Sequence, residues 1–310
     1  MADFAPQLGT QIAIGPAAYG FMPHPLFPAD MDEVFVVEGG EALIYQLQNL
    51  ATGALFALKV SKPSYRGEHI ARSVAALAPY ASLPGLYLGN RVCLTRQAYP
   101  HLVAQCPDLE YAVLMPWIAG RTWAGLLADP AASAAYTPYH ALDLAAAAAQ
   151  VFWDLEAHHL AHTDIAGGNV ILAPDLKRVE LLDIENLYMP NAPTPVRRSL
   201  GSPGYQHRSL DKRGQWRAEG DRFAGAILLT EMLVWWDPEV RTRTQAESDS
   251  LFQPGELQEV GSAKWQAVRD ALWTVCAPVL PLFDAAWAAN DLAACPELSA
   301  WALALVQARG

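Results

Sequence analysis

The sequence contains few cysteines, few basic residues and no long apolar run. The cysteines are neither dense enough for a disulfide framework nor paired at the spacing of a metal site, so they are predicted to be reduced thiols. Lysine and arginine total 21 against 32 aspartates and glutamates, for a formal net charge of -11. Since nucleic-acid phosphates attract a basic face, no nucleic-acid partner is expected. The four cysteines are Cys93, Cys106, Cys276 and Cys295.

No apolar stretch approaches the ~20 residues of a membrane span. The stretch from 223 to 236, for example, is interrupted by Thr230 and Glu231. The first residues also lack the basic start and apolar core of a signal peptide. A cytoplasmic protein without a membrane partner is therefore expected. With 310 residues, of which 52% are hydrophobic, the chain can bury a full core.

Local patterns predict a β-rich first part. Residues 1–33 are rich in proline and glycine and show no clear period, which predicts an irregular arm. Turn signals at 39–40 and 52–53 separate alternating segments, which predict a small antiparallel sheet, and a helix is expected over about 65–80. The predicted strands cover 34–37, 42–47, 55–60, 87–88, 91–94 and 112–115.

Helical patterns dominate after Pro116. A small β region followed by a larger α region predicts an α+β fold with two lobes, residues 34–115 and residues 116–310. The predicted helices cover 141–160, 221–236, 263–277, 282–289 and 298–307.

Two polar motifs interrupt this helical part, at 162–169 (HTDIAGGN) and at 181–185 (LLDIE). In phosphoryl transfer an acidic residue orients the attacking hydroxyl, while a carboxylate and an amide hold magnesium on the phosphates. Asp164 is the candidate for the first role, and Asn169 and Asp183 are candidate ligands of Mg²⁺ or Mn²⁺. Either motif alone is compatible with a simple turn. Their joint occurrence beside apolar strands favours a phosphotransferase.

With these motifs in this order, residues from about 33 to 306 resemble a protein kinase domain. In that family the catalytic loop reads His-Arg-Asp, four variable residues and Asn, and a later Asp opens the metal-binding turn. The resemblance implies a bilobal protein kinase-like fold and ATP-dependent transfer of the γ-phosphate to a serine or threonine hydroxyl of an unidentified acceptor. Segment 56–59 (FALK) resembles the strand whose lysine grips the phosphates, which makes Lys59 a second catalytic candidate.

The resemblance also implies a nucleotide-binding set. Segment 114–120 (LMPWIAG) resembles the hinge, where the carbonyl of Pro116 and the N–H of Ile118 would meet adenine. Segment 201–205 (GSPGY) resembles the end of an activation segment and puts Ser202 near Asp164. Asp221 resembles the residue that accepts hydrogen bonds from the catalytic-loop backbone. The residues implied for ATP are Gly39, Gly40, Ala57, Lys59, Pro116, Ile118 and Ile171.

Departures from the family pattern weaken the expected grip on the nucleotide. Gly39 is in place, but Val37 and Ala42 stand where the outer glycines belong, so clamping of phosphates by backbone N–H groups is weakened. The glutamate partner of Lys59 is missing from its usual helix position. Glu68, six residues earlier, is predicted to be a solvated residue of the first helical turn.

Other departures concern control and stability. Thr163 replaces the arginine that receives an activation-loop phosphate in the family, so control by phosphorylation of that loop is not expected. The basic pair at 197–198 is the substitute to consider for the missing arginine. Ala166 replaces the lysine that serine/threonine kinases place against the γ-phosphate. Segment 207–209 (HRS) stands where the family has Ala-Pro-Glu, and Cys295 stands where it has the arginine that pairs with that glutamate. The joint loss of both charges predicts an apolar repacking.

Three alternatives stay open. A pseudokinase that binds nucleotide or acts as a scaffold would fit the degraded glycine loop. A small-molecule kinase of the aminoglycoside or choline kinase type would fit the second acid in 183–185 (DIE), although segment 201–205 opposes it. A metal site at His158, His159 and His162 is a weaker interpretation, because His162 already has a place in the catalytic-loop pattern.

Overall fold

The computed structural model describes residues 4–25, 33–190, 192, 195, 198–210, 214–244 and 250–309. The chain divides into two compact units. The first contains residues 1–82 and 87–118, and the second contains residues 83–86 and 119–310.

An antiparallel sheet of seven described strands forms the first unit. The strands follow the order β1-β2-β4-β5-β7-β6, and β3 pairs with β4 beside this path. Alternate side chains of the central strands, such as Tyr45, Leu47 and Leu58, enter the hydrophobic core of this unit. The elements are β1 (Gln11–Ile14), β2 (Ala17–Phe21), β3 (Val36–Glu38), β4 (Ala42–Asn49), β5 (Leu55–Ser61), α1 (Glu68–Leu77), β6 (Val92–Cys93), α2 (Pro100–Gln105) and β7 (Val113–Pro116).

Two sequence predictions for this unit are wrong. Residues 1–33 were predicted to be irregular, but β1 and β2 form an antiparallel hairpin with Ile12 opposite Tyr19. Both side chains are buried in the core of the unit, so tertiary burial stabilises strands too short to show a clear period. The strand predicted at 87–88 is a 3₁₀ turn, Tyr87–Gly89. The N–H of Asn90, the residue after this turn, bonds back to the Tyr87 carbonyl rather than to a neighbouring strand.

Helices dominate the second unit. The longest, α5, begins at Pro138 because Thr137 caps it in a reciprocal arrangement with His140. The central helix, α6, is buried at every residue from Phe223 to Val234 and packs against α5, α8 and α9. The helices are α3 (Trp123–Leu127), α4 (Pro130–Ala135), α5 (Pro138–Ala157), α6 (Arg222–Val234), α7 (Pro238–Thr242), α8 (Ala263–Cys276), α9 (Leu280–Ala288) and α10 (Leu298–Arg309).

A small antiparallel sheet accompanies these helices. Its strands are β8 (Arg121–Thr122), β9 (Val170–Leu172) and β10 (Val179–Leu181), in the order β10-β9-β8. The β9–β10 hairpin connects the two polar motifs of the sequence. The mixed α+β composition and the predicted long helices are thus confirmed, with boundaries that shift by a few residues.

One helical stretch, Ala263–Ala288, is long and apolar enough to cross a membrane by length and composition alone. It consists of α8, a short 3₁₀ turn and α9, and both helices pack against α6. Core helices satisfy the same criteria, so the stretch is weak evidence for a span. All four cysteines are free thiols, as predicted. Burial raises the pKa of Cys295 to about 12 and that of Cys93 to about 11.

Candidate active site

Asp164 and Asn169 lie at opposite ends of one loop between α5 and β9. Asn169 Nδ2 donates a hydrogen bond of 2.8 Å to the backbone carbonyl of Asp164. The Asn169 N–H donates to the carbonyl of Ala166 at 3.0 Å. Because the amide nitrogen is committed to the loop, the Oδ1 atom is the end of the side chain that can accept or bind a cation.

The β9–β10 hairpin brings Asp183 to this loop. Leu181 pairs with Val170, and the Leu182 N–H then donates to the carbonyl of Asn169 at 2.8 Å. Asp183 follows directly, in a left-handed conformation with φ 49° and ψ 39°. Aspartate is one of the few residues that tolerate this conformation, which is common at functional sites. The structure therefore brings Asp164, Asn169 and Asp183 together within the second unit.

Asp221, the residue before α6, holds the backbone of the loop between α5 and β9. Its two carboxylate oxygens accept hydrogen bonds from the N–H groups of His162 and Thr163, as the sequence predicted. Asp221 is only 3% exposed, and burial raises its pKa to about 6 against the lowering effect of His162 and of the two N–H donors. The imidazole of His162 is committed too, since its Nε2 lies 2.6 Å from the Leu182 carbonyl and must donate to it.

A hydroxyl group already contacts the candidate base. Ser202 Oγ donates to Asp164 Oδ1 at 2.9 Å, which confirms the predicted proximity. Gly201 and Gly204 flank the contact, each with φ +86°. A Cβ on Gly204 would lie 2.1 Å from Ser250 Oγ, so only glycine fits there.

The first unit contains most of the residues predicted for ATP. Ala57 and Lys59 lie two residues apart on β5, so both point to the face of the sheet opposite to Leu58, which enters the core. Pro116 ends β7 opposite Phe56. Ile118, which is half-buried, is the last residue of this unit, whereas Ile171 lies in the second unit on β9.

Gly39 and Gly40 form the exposed turn between β3 and β4. The N–H of Gly39 donates to the carbonyl of Ala42 at 2.9 Å. That amide is therefore committed within the turn instead of being directed at a phosphate. Glu38 and Lys62 close the turn with an ion pair of 2.8 Å.

Glu68 begins α1 and is solvated, as predicted. It pairs with Arg72, one helical turn later, at 3.5 Å. Its side chain is 78% exposed, so this contact contributes little to stability.

The predicted apolar repacking is wrong for segment 207–209. His207 is 3% exposed and polar in its contacts: Nε2 lies 3.0 Å from the Ala289 carbonyl and 3.1 Å from Gln258 Nε2. Its Nδ1 accepts from the Ser209 N–H at 3.1 Å. Burial lowers the pKa of His207, which favours the neutral ring. A neutral hydrogen-bonded histidine therefore begins the segment in which the kinase family has a buried glutamate, while Ser209, at the position of that glutamate, is exposed.

The three histidines considered as a metal site are separated in role. His158 Nδ1 contacts the Asp154 carbonyl, His159 is exposed, and His162 is buried with its ring bonded to the Leu182 carbonyl. Within the described part of the chain, no group of three or more His, Cys, Asp or Glu side chains could hold a metal ion.

Sequence reasoning missed the role of Glu231. It lies on α6 with no exposed surface, and its Oε2 accepts from Trp123 Nε1 at 3.0 Å and from the Tyr205 hydroxyl at 2.7 Å. Its Oε1 accepts from the Leu251 N–H. Burial raises the pKa of Glu231 to about 7, against the lowering effect of these donors. The available signal was a lone acidic residue inside an apolar helix.

No protein-family model matches the chain, and no curated protein sequence matches it. The function is therefore argued from the geometry of the residues described above.

Proposed function

We propose that this chain is an ATP- and Mg²⁺-dependent phosphotransferase with a bilobal, protein kinase-like fold, which transfers the γ-phosphate to a serine or threonine hydroxyl. The observation that carries the proposal is the hydrogen bond from the Ser202 hydroxyl to Asp164. Asp164 begins a loop that ends at Asn169. Asp183 directly follows Leu182, whose N–H bonds to the carbonyl of Asn169. A carboxylate that already orients a hydroxyl, beside an amide and a second carboxylate, is the polar set that phosphoryl transfer requires.

Asp164 is the proposed general base. Its Oδ1 is held by Ser202, so Oδ2 is the oxygen proposed to receive the proton of the incoming hydroxyl. The oxygen donors of Asn169 and Asp183 suit Mg²⁺ or Mn²⁺, which prefer carboxylate and amide oxygens. The bound cation would supply charge neutralisation on the phosphates. Asp183 is kept in place by the hairpin pairing and by its left-handed backbone conformation.

ATP is the proposed cofactor. Lys59 is proposed to contact its phosphates, while Ala57, Pro116, Ile118 and Ile171 are proposed to surround adenine. The contribution of Gly39 and Gly40 to phosphate binding is proposed to be small, since the Gly39 N–H is already bonded to Ala42. Binding should therefore depend on Lys59 and the metal more than on the glycine turn.

Two rival functions have specific support. A pseudokinase fits the committed amide of Gly39 and the alanine at position 166. A small-molecule kinase fits Glu185, which lies in the 3₁₀ turn directly after Asp183.

The test is ATP consumption and autophosphorylation with Mg²⁺ or Mn²⁺, measured beside the thermal shift that ATP causes. Metal-dependent turnover supports the proposed enzyme, while a thermal shift without turnover supports the pseudokinase. Turnover on a panel of amino sugars and amino alcohols, without transfer to casein, supports the small-molecule kinase. Absence of both turnover and ATP binding contradicts the proposal.

A further inference from the structure

We infer that a cavity in the second unit is a binding site for a small apolar carboxylate, and that Arg121 and His140 recognise its acid group. The cavity has a volume of about 490 Å³, within the ~300–1,000 Å³ range of small-molecule sites. Its walls come from α3, α4, the start of α5, and the strands β8 and β9. The side chains proposed for ATP, metal and catalysis are not among its lining residues, so the inference does not rest on the proposed function.

Apolar side chains form the floor of the cavity. Leu126 and Leu172 line it and are buried, beside the ring of Tyr136, which is 3% exposed. Ala135 and Pro174 line the rim and are exposed, so the cavity opens to solvent on that side. A buried apolar floor below an open rim favours a ligand with a hydrophobic body, because contact with the floor removes apolar surface from water.

Buried hydrogen bonds hold the walls of the cavity in place. The hydroxyl of Tyr136 donates to the carbonyl of Met232 on α6 at 2.9 Å. Ser133 Oγ, on α4, donates to the carbonyl of Leu126 on α3 at 3.0 Å and accepts from Trp235 Nε1 at 2.9 Å. Collapse of the walls would break these buried bonds, which is costly in free energy. The cavity is therefore preformed.

The polar side chains that a ligand can reach in the cavity are donors. Three polar side chains line it, those of Arg121, Tyr136 and His140, and the Tyr136 hydroxyl is already bonded to Met232. His140 Nδ1 accepts from the Thr137 N–H at 3.3 Å, so the proton of the neutral ring is on Nε2. Among the residues that the structure describes, this Nε2–H has no hydrogen-bond partner.

Arg121 supplies a positive charge at the rim. Its Nη1 donates to Asp129 Oδ2 at 2.8 Å, and its side chain is 50% exposed. Asp129 Oδ1 accepts from the N–H groups of Ala131 and Ala132, at 2.9 Å and 3.1 Å, so three donors offset the charge of this carboxylate. The guanidinium keeps further N–H groups for a ligand. A carboxylate is the acceptor that best matches a guanidinium beside a second donor.

The experiment is a titration of the full chain with 2-naphthoate, read by saturation-transfer NMR, with 2-naphthamide as a neutral probe of the same shape. We expect naphthoate to bind with a Kd of ~1 mM or below, the affinity that a ligand of this size can reach. The amide is expected to bind at least ~5-fold more weakly, because it lacks the charge that Arg121 recognises. Absence of saturable naphthoate binding up to ~5 mM would overturn the site, and equal binding of the two probes would overturn the recognition of an acid.

Substitutions of His140 test its role without removing the helix cap. Glutamate and glutamine are the usual residues at this position of a capping box, so both His140→Glu and His140→Gln can still accept the Thr137 N–H. His140→Glu adds a negative charge at the cavity and is expected to weaken naphthoate binding by at least ~10-fold. His140→Gln retains a donor and is expected to weaken it by less than ~3-fold. Equal binding by the two variants would remove His140 from the site.

Arg121→Gln tests the charge at the rim and has a matched control. It is expected to weaken naphthoate binding by at least ~5-fold. Arg178→Gln should leave binding unchanged, because Arg178 is an exposed arginine of the β9–β10 hairpin that does not line the cavity. The same loss in both variants would show that only the net charge matters and would overturn the assignment of Arg121.

A competition experiment separates this cavity from the proposed ATP site. Excess ATP with Mg²⁺ is expected to leave naphthoate bound, and displacement of naphthoate would overturn the inference. Naphthoate binding with the expected variant pattern, in a protein that neither binds ATP nor transfers phosphate, would contradict the proposed function and support this site.

Discussion

The exposed turn between β3 and β4 and the loop between α5 and β9 are both short polar segments of the proposed site, but they are held in different ways. In the turn, the Gly39 N–H bonds to Ala42 within the same turn, and residues 37–41 are exposed. In the loop, His162 and Thr163 are almost fully buried, and their N–H groups bond to Asp221, 59 and 58 residues away in the chain.

This difference shows where the chemistry can be precise. A loop whose backbone is fixed by a buried carboxylate can hold a reacting group within a narrow range of positions. An exposed turn with only local hydrogen bonds opens at low cost in free energy. We therefore expect the proposed catalytic function to depend on the loop in the second unit and the glycine turn to contribute little.

The largest effect is expected from Asp183→Asn. Metal-dependent ATP affinity or turnover should fall by at least ~100-fold, because the substitution removes a proposed direct carboxylate ligand of the cation. Folding should be retained, since asparagine also tolerates the left-handed conformation of this residue. Isothermal titration with ATP and Mg²⁺ and a thermal melt measure the two quantities.

Asp175→Asn is the matched control for this substitution. Asp175 lies in the exposed turn of the same hairpin, where it caps the Lys177 N–H at 3.1 Å. An unchanged magnesium dependence in Asp183→Asn would remove Asp183 from the site, and a loss in Asp175→Asn would show that the effect is not local.

The expectation that the glycine turn contributes little to ATP binding is tested by two substitutions, Lys59→Met and Gly39→Ala. Lys59→Met is expected to raise KM for ATP by ~10-fold or more, since it removes the proposed cation from the phosphates. Gly39→Ala should change it by less than ~3-fold, because the amide is already bonded and an added Cβ would lie 3.5 Å from the Ala42 oxygen, an ordinary contact. A large loss in Gly39→Ala would mean that the turn rearranges to bind phosphate.

A pH dependence of stability is expected from Glu231. Burial raises its folded-state pKa from 4.5 to about 7. Between these values the folded protein retains a proton that the unfolded chain has released, so this group lowers stability as the pH rises through that window. Glu231→Gln does not titrate. From pH 5 to pH 8 its unfolding free energy, relative to the wild type, should therefore rise by on the order of 3 kcal/mol.

Urea denaturation at several pH values measures this difference. Asp221 titrates in both proteins, so its contribution cancels in the comparison. A constant difference between wild type and Glu231→Gln across the range would mean that Glu231 keeps its ordinary pKa.

The smallest effect is expected from phosphatase treatment. Turnover should change by less than ~2-fold, because Thr163 cannot replace the guanidinium that would receive a phosphate on the segment containing Ser202. Of the substitute pair, Arg198 is exposed and Arg197 lies outside the described residues. Loss of activity that rephosphorylation restores would show that another cation takes over this role.

The sequence predicted those parts of the molecule in which local pattern and tertiary structure agree. Asp164, Asn169 and Asp183 lie close together in the structure, as their spacing predicted, because one hairpin connects the two motifs. Asp221 binds the backbone N–H of Thr163, which is the role that its position before an apolar helix suggested. The β1–β2 hairpin could not be predicted from two short segments whose strand conformation depends on burial against residues distant in the chain.

The polar contacts at His207 and Glu231 could not be predicted for a related reason. His207 bonds to the Ala289 carbonyl, 82 residues away, and Glu231 meets Trp123 at a separation of 108 residues. A sequence pattern shows that a polar residue lies in an apolar helix, but it does not show which donors will reach it. Only the packed structure supplies those partners.

The most direct measurement of the central claim is the rate of γ-phosphate transfer by Asp164→Asn at saturating ATP. We expect ATP affinity to be nearly unchanged and the transfer rate to fall by at least ~100-fold, because this carboxylate is proposed to orient the attacking hydroxyl without holding the nucleotide. Robust wild-type transfer that survives in Asp164→Asn would contradict the assignment of the catalytic base and, with it, the placement of the chemistry in the loop between α5 and β9.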